Sequence, residues 1–85
     1  MIVRPTDKAK KSLRELPKRI QDKAQKAFDY LENDPYHPAL NSRKMSGTAY
    51  FEARIDYHYR FIYTIIDNAI YVVGVGQHDA GLGKK

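Results

Sequence analysis

Residues 50–77 read YFEARIDYHYRFIYTIIDNAIYVVGVGQ, and the spacing of apolar side chains along them decides the fold. The period is two. Phe51, Ala53 and Ile55 fall on one side of an extended chain, and Tyr50, Glu52 and Arg54 on the other. "DYHY" reads as a turn and "RFIYTII" as a strand, and "AIYVVGVG" returns as the next strand. Asp67 and Asn68 tolerate positive φ, which is what a two-residue hairpin connection needs. The stretch therefore predicts a three-stranded antiparallel meander over about residues 50–77. Counting outward from a turn that pairs Ile66 with Ala69 puts Thr64 opposite Tyr71 and Arg60 opposite Val75.

Upstream the period lengthens. Ala9, Leu13 and Leu16 recur at helical spacing, with Thr6 or Asp7 able to cap the helix. Pro17 stops that helix by steering Leu16 away from helical geometry, and it suits the first turn of another. Ile20, Ala24, Ala27, Phe28 and Leu31 form the second apolar stripe, which "NDP" ends near Asn33. A helical hairpin over roughly residues 7–33 follows. "MIV" before Pro5 fits a short first strand at the sheet edge. Residues 34–49 have no clean period and read as loop, long enough to suggest function or mobility. The expected fold is α+β, one domain over 1–85: an N-terminal strand, a helical hairpin and the meander, with the helices covering one sheet face. Ile20, Phe28, Leu31, Leu13, Phe51, Ile55 and one alternating set from the last two strands should form the core.

Composition narrows the chemistry. The chain has no cysteine, so disulfides and thiolate metal sites are excluded. His37, His58 and His78 lack the paired spacing of a zinc site, and no metal or other cofactor is expected. No glycine-rich phosphate loop precedes a helix, and none of Ser12, Ser42 and Ser46 lies in a nucleophile motif. The N-terminal residues do not resemble a signal peptide and no run reaches membrane-spanning length, so a cytoplasmic protein with no membrane partner is expected. The formal net charge is +5, carried by residues 1–49, with eleven Lys/Arg against six Asp/Glu; the remainder has four of each. Such a surface suits a polyanion or an acidic protein, although solvated helix faces give the same count.

The sheet supplies the candidate site. The expected register brings Arg54, Arg60 and His78 to one end, within reach of Arg43 and Lys44 in the loop. Metal-free RNA cleavage suits this set. Arginine matches phosphate bidentately and stays charged, and histidine titrates where acid–base work is done. The bland readings compete residue by residue. Arg54 and Arg60 on a strand face are ordinary cross-strand partners, with Glu52 available for a surface ion pair. His78 after a strand is an ordinary loop residue, and Arg43 and Lys44 are ordinary solvated charges.

The order of the segments resembles the RelE/ParE superfamily of bacterial toxins from type II toxin–antitoxin pairs. The likeness runs through the helical hairpin, a loop ending "MSG", then "FEARI", "YRFIY", "IIDNAIYVVGVG" and "QHD". It implies a small twisted sheet with two helices on one face, and a cognate antitoxin as partner. In the branch that cleaves mRNA on the ribosome, Arg60 matches the arginine that stabilises the scissile phosphate. His78 matches a position holding a catalytic histidine in YoeB and an arginine in RelE. Lys44 and Arg54 match basic positions near the substrate. The chain departs from that pattern at Phe51 and Ala53, matched to catalytic lysines of RelE, and at Asn41, near the glutamate base of YoeB. Glu52 is the substitute base. Asp79 after His78, where YoeB ends in tyrosine, leaves room for the ParE branch, whose members inhibit DNA gyrase without nuclease activity. A non-toxic relative that only binds an antitoxin is the third possibility.

Overall fold

The structure, a computed structural model, describes residues 1–77. Its elements in chain order are β1 (Ile2–Pro5), α1 (Asp7–Arg14), α2 (Lys18–Asn33), a 3-10 turn (Pro38–Leu40), β2 (Arg43–Lys44), β3 (Phe51–Arg54), β4 (Tyr59–Ile66) and β5 (Ala69–Gln77). Thr6 caps α1, its hydroxyl oxygen accepting from the Ala9 amide at 3.2 Å. Glu15, Leu16 and Pro17 separate the helices, and the Gln21 side-chain amide donates to the Leu16 carbonyl at 2.9 Å, fastening the corner.

The five strands form one sheet in the order β1-β5-β4-β3-β2. The β3–β4–β5 meander is antiparallel as its alternation and turns predict. Asp67 and Asn68 both have positive φ, 50° and 66°, as the two-residue hairpin requires. β1 joins the free edge of β5 in parallel, so the sheet is mixed. A parallel neighbour needs a long crossover, which the helices and the intervening strands supply.

Two expectations need correction. Residues 34–49 are not all loop: Leu40 in the 3-10 turn is fully buried, and Arg43 and Lys44 pair with Glu52 and Phe51 as a short edge strand. The hairpin register also shifts by one between Ile62 and Tyr63, where Tyr63 faces Val72 but Ile62 faces Gly74. Val73 is the extra residue of a β-bulge, so Arg60 lies opposite Gly76 and not Val75. The bulge puts Val75 opposite Phe61, and both are buried in the core.

The helices cover one face. Ile20, Ala24, Ala27, Phe28 and Leu31 of α2 are buried, as are Phe61, Tyr63, Ile70 and Val72 of the sheet. Phe28 meets Phe61 edge-to-face at 5.1 Å, and Phe51 stacks on Tyr63 at 5.1 Å. Of the expected core, Leu13, Phe51 and Ile55 are half-buried against it and the other named residues are interior. Ile20, Phe28 and Leu31 are each buried by at least nine-tenths, a gain of about 1.5–3 kcal/mol per side chain.

Candidate active site and its basic surroundings

The face away from the helices holds the site. Arg43 pairs with Glu52, and Arg54 pairs directly with Arg60. Directly paired strand residues share a face, so Arg43, Glu52, Arg54 and Arg60 stand together. Lys44 pairs with core-facing Phe51 and falls on the opposite side of the edge strand. Gly74 and Gly76, opposite Ile62 and Arg60, leave that stretch of β5 without side chains on this face.

Two arginines in register repel each other. Arg60 relieves this by turning its Nη1 into the β3–β4 turn, where it donates to the carbonyls of Asp56, Tyr57 (3.1 Å) and Tyr59 (3.1 Å). The turn is itself held by Asp56. Its Oδ1 accepts from the His58 and Tyr59 amides at 2.9 and 3.1 Å, and its Oδ2 lies 3.8 Å from Arg19 and 3.6 Å from Lys23 of α2. Burial alone raises the Asp56 carboxyl, but the two amides and the Lys23 charge outweigh it and hold the group below its usual 3.8. All of Arg60's hydrogen bonds within the described residues use Nη1. Its Nε and Nη2 have no hydrogen-bond partner among the described residues.

Asn41, Arg43, Glu52, Ala53 and Arg60 line one cleft of about 150 Å³. The Glu52 side chain is only 12% exposed and lies 3.6 Å from Arg43, the cross-strand ion pair that the bland reading anticipates, though with a different arginine. Asn41 adopts a left-handed conformation, φ 48°, closing the 3-10 turn beside it. Arg54 instead belongs to a second cleft of about 270 Å³ between α2, the 3-10 turn and the end of β3. The expected single cluster is thus divided between two clefts that adjoin at Ala53 and Arg54. His78 lies outside the described residues, which end one position earlier at Gln77.

Phe51 and Ala53, matched by resemblance to catalytic lysines, point into the core. A cation on the outer face of β3 can therefore come only from position 52 or 54, and Arg54 is the one present. Asp56 is the residue that sequence reasoning missed. An aspartate two and three positions before the amides of a tight turn was its available signal. Among the described residues no group of three His, Asp or Glu side chains could hold a metal, and no helix is long and apolar enough to cross a membrane.

Comparison with solved structures gives the same fold. The RelE subunit fold in the archaeal RelE–RelB complex of Pyrococcus horikoshii matches with a TM-score of 0.79 at 25% identity, over 93% of this chain and 96% of that one. A RelBE toxin–antitoxin complex of Mycobacterium tuberculosis matches with a TM-score of 0.73 at 28% identity, over 91% and 96%. A YoeB/ParE toxin from Agrobacterium tumefaciens matches with a TM-score of 0.79 at 16% identity, over 92% and 99%, a likeness of fold alone. No curated protein matches the chain. The family model for the ParE toxin of type II toxin–antitoxin systems matches residues 3–80, nearly the whole length, and the chain belongs to that family.

Proposed function

We propose that this toxin cleaves mRNA on the ribosome without a metal ion, blocking translation. The observation that carries the reading is the Arg60 cleft: a guanidinium fixed by its own turn, its Nε and Nη2 without partners among the described residues, beside a largely buried carboxylate. In the proposed reaction Glu52 takes the proton from a ribose 2′-hydroxyl, whose oxygen attacks the adjacent phosphorus. The P–O5′ bond breaks as the P–O2′ bond forms, leaving a 2′,3′-cyclic phosphate. Arg60 faces the charge that grows on the non-bridging oxygens. A fixed donor in that role is worth about 3–4 kcal/mol. His78, assigned on the sequence resemblance, protonates the departing 5′ oxygen. Arg43 and Arg54 place the substrate, and Lys44, on the other side of β2, takes no part at this cleft. Only two acid–base groups serve the reaction, so free RNA should be a poor substrate, with the ribosome supplying orientation. An antitoxin partner accords with the toxin–antitoxin complexes among the structural relatives.

The name of the matching family favours a second reading, inhibition of DNA gyrase. One experiment separates the two. The chain is induced in bacteria, and pulse-labelled protein synthesis, mRNA ends and gyrase-linked DNA breaks are followed together. Early loss of synthesis with new mRNA ends bearing 2′,3′-cyclic phosphate is expected. Intact mRNA with accumulating gyrase–DNA breaks would overturn the nuclease and establish the alternative.

A further inference from the structure

The second cleft has its own chemistry. Lys23, Lys26, Ala27 and Tyr30 line it from α2, at spacings of three and four that put them on one helix face. Ala39, Arg54, Ile55 and Asp56 complete it. Asp56 is the only carboxylate in this lining, and it is already engaged by two backbone amides, Arg19 and Lys23. Lys26 and Arg54 have no ion pair among the described residues. The cleft therefore presents net positive charge over a floor that is partly apolar.

Its aromatic wall is fixed in place. Tyr30 stacks on His37 with centroids 4.1 Å apart and planes 14° from parallel. His37 is oriented in turn by its Nδ1, which accepts from the Ala39 amide at 3.0 Å. A fixed aromatic pair, one member lining the cleft beside two lysines and an arginine, is the combination that holds single-stranded nucleic acid: cations for the backbone and an aromatic edge for a base.

We infer that this cleft is a second RNA subsite, binding the phosphate and base of a nucleotide next to the one held at Arg60. Ala53 and Arg54, consecutive on β3, line one cleft each, and β2 covers β3 only at Phe51 and Glu52, so a strand can pass between the clefts around that open edge. The inference rests on the RNA reading above. The ligand chemistry is an RNA phosphate with its base, and it has two sources on a programmed ribosome: the message or the ribosomal RNA.

The test is an NMR titration of the ¹⁵N-labelled chain with a 2′-O-methyl tetranucleotide, which cannot be cleaved. The Lys26→Ala chain, the Lys23→Ala/Lys26→Ala chain and a Lys10→Ala/Lys11→Ala control on α1 are titrated alongside. In the native chain, amides of both clefts should shift. Lys23→Ala/Lys26→Ala should weaken binding about tenfold and lower the salt slope by about 1.4, the loss of about two single-strand phosphate contacts. The Arg60 cleft should still respond. Lys26→Ala, which removes no ion pair, should give part of the same effect in a chain whose spectrum is otherwise unchanged. A 4-thiouridine placed in the message and crosslinking to Tyr30 would assign the site to mRNA; crosslinks from ribosomal RNA alone would assign it there. Shifts confined to the Arg60 cleft, or a double variant that binds like the control, would overturn the subsite and leave the nuclease reading standing. No shift in either cleft would overturn the subsite, while the nuclease reading stands or falls on the mRNA ends. Loss of antitoxin binding with RNA binding intact would make the cleft a protein-docking surface and overturn it as well.

Discussion

Arg60 and Asp56 divide one task between them. Arg60 faces the cleft, and Asp56 holds the turn whose carbonyls orient Arg60. Arg60→Ala should lower mRNA cleavage by about 10²–10³-fold, because no other group replaces a fixed donor facing the phosphorane. Arg60→Lys should recover little, since an ammonium cannot serve both the turn and the phosphate as a forked guanidinium does. Full toxicity in Arg60→Ala cells would remove the cleft from the mechanism. Asp56→Ala leaves two amides without their acceptor and should cost about 1–2 kcal/mol in urea denaturation. Because the Asp56 carboxyl is held below its ordinary 3.8, its contribution is complete above that pH. It fades as the pH falls toward the folded-state value. The stability gap between the native chain and Asp56→Ala should therefore stay constant from neutrality down to about pH 4 and narrow only below it. A gap that narrows near neutrality would mean that another group is titrating.

The helices and the meander were legible because their periods are long and unmixed: apolar residues recur at helical spacing through Leu31, and at two from Phe51 onward. What lay between was not. Leu40 is one buried leucine in a segment with no period, so no pattern announces that it anchors a 3-10 turn. The bulge at Val73 was equally silent, since Val72 and Val73 are both good strand residues and either could be the unpaired one. That single extra residue moved Arg60 from Val75 to Gly76. Alternation alone also explains why Lys44 parts from Arg43 once the two belong to a strand and not a loop. Leu40 gives this element its test. It is fully buried, and β2 follows within three residues, so Leu40→Ala should cost about 2–5 kcal/mol. The damage should centre on residues 38–44, with amide exchange there rising more than in β4 and β5. Tyr63 adds a lesser tether, its hydroxyl donating to Ser42 at 3.2 Å, and Tyr63→Phe should cost only about 1 kcal/mol. Equal exchange throughout the sheet in Leu40→Ala would show that the segment is not a separate unit.

At the scale of the whole molecule the charge is one-sided in sequence and unevenly compensated in space. The net +5 comes from residues 1–49. Few of these cations are neutralised: Lys18 pairs with Asp22, Arg19 and Lys23 share Asp56, and Arg43 meets Glu52. Arg4, Lys8, Lys10, Lys11, Arg14, Lys26 and Lys44 have no ion pair among the described residues. An uncompensated field of this kind acts at a distance, so it governs how fast an oppositely charged partner arrives more than how long it stays. A type II antitoxin that presents acidic side chains to this surface should therefore associate quickly at low salt. Raising the salt from about 0.1 M to about 1 M shortens the screening length from about 10 Å to about 3 Å. The association rate, followed by stopped-flow fluorescence, should fall by at least tenfold over that range, while dissociation changes by no more than about threefold. Lys10→Ala/Lys11→Ala should reproduce part of the slowing at low salt and lose its effect at high salt, because long-range attraction then contributes nothing for the variant to remove. Association indifferent to salt, with dissociation carrying the whole change in affinity, would show that short-range packing governs the encounter and that the basic surface serves RNA alone.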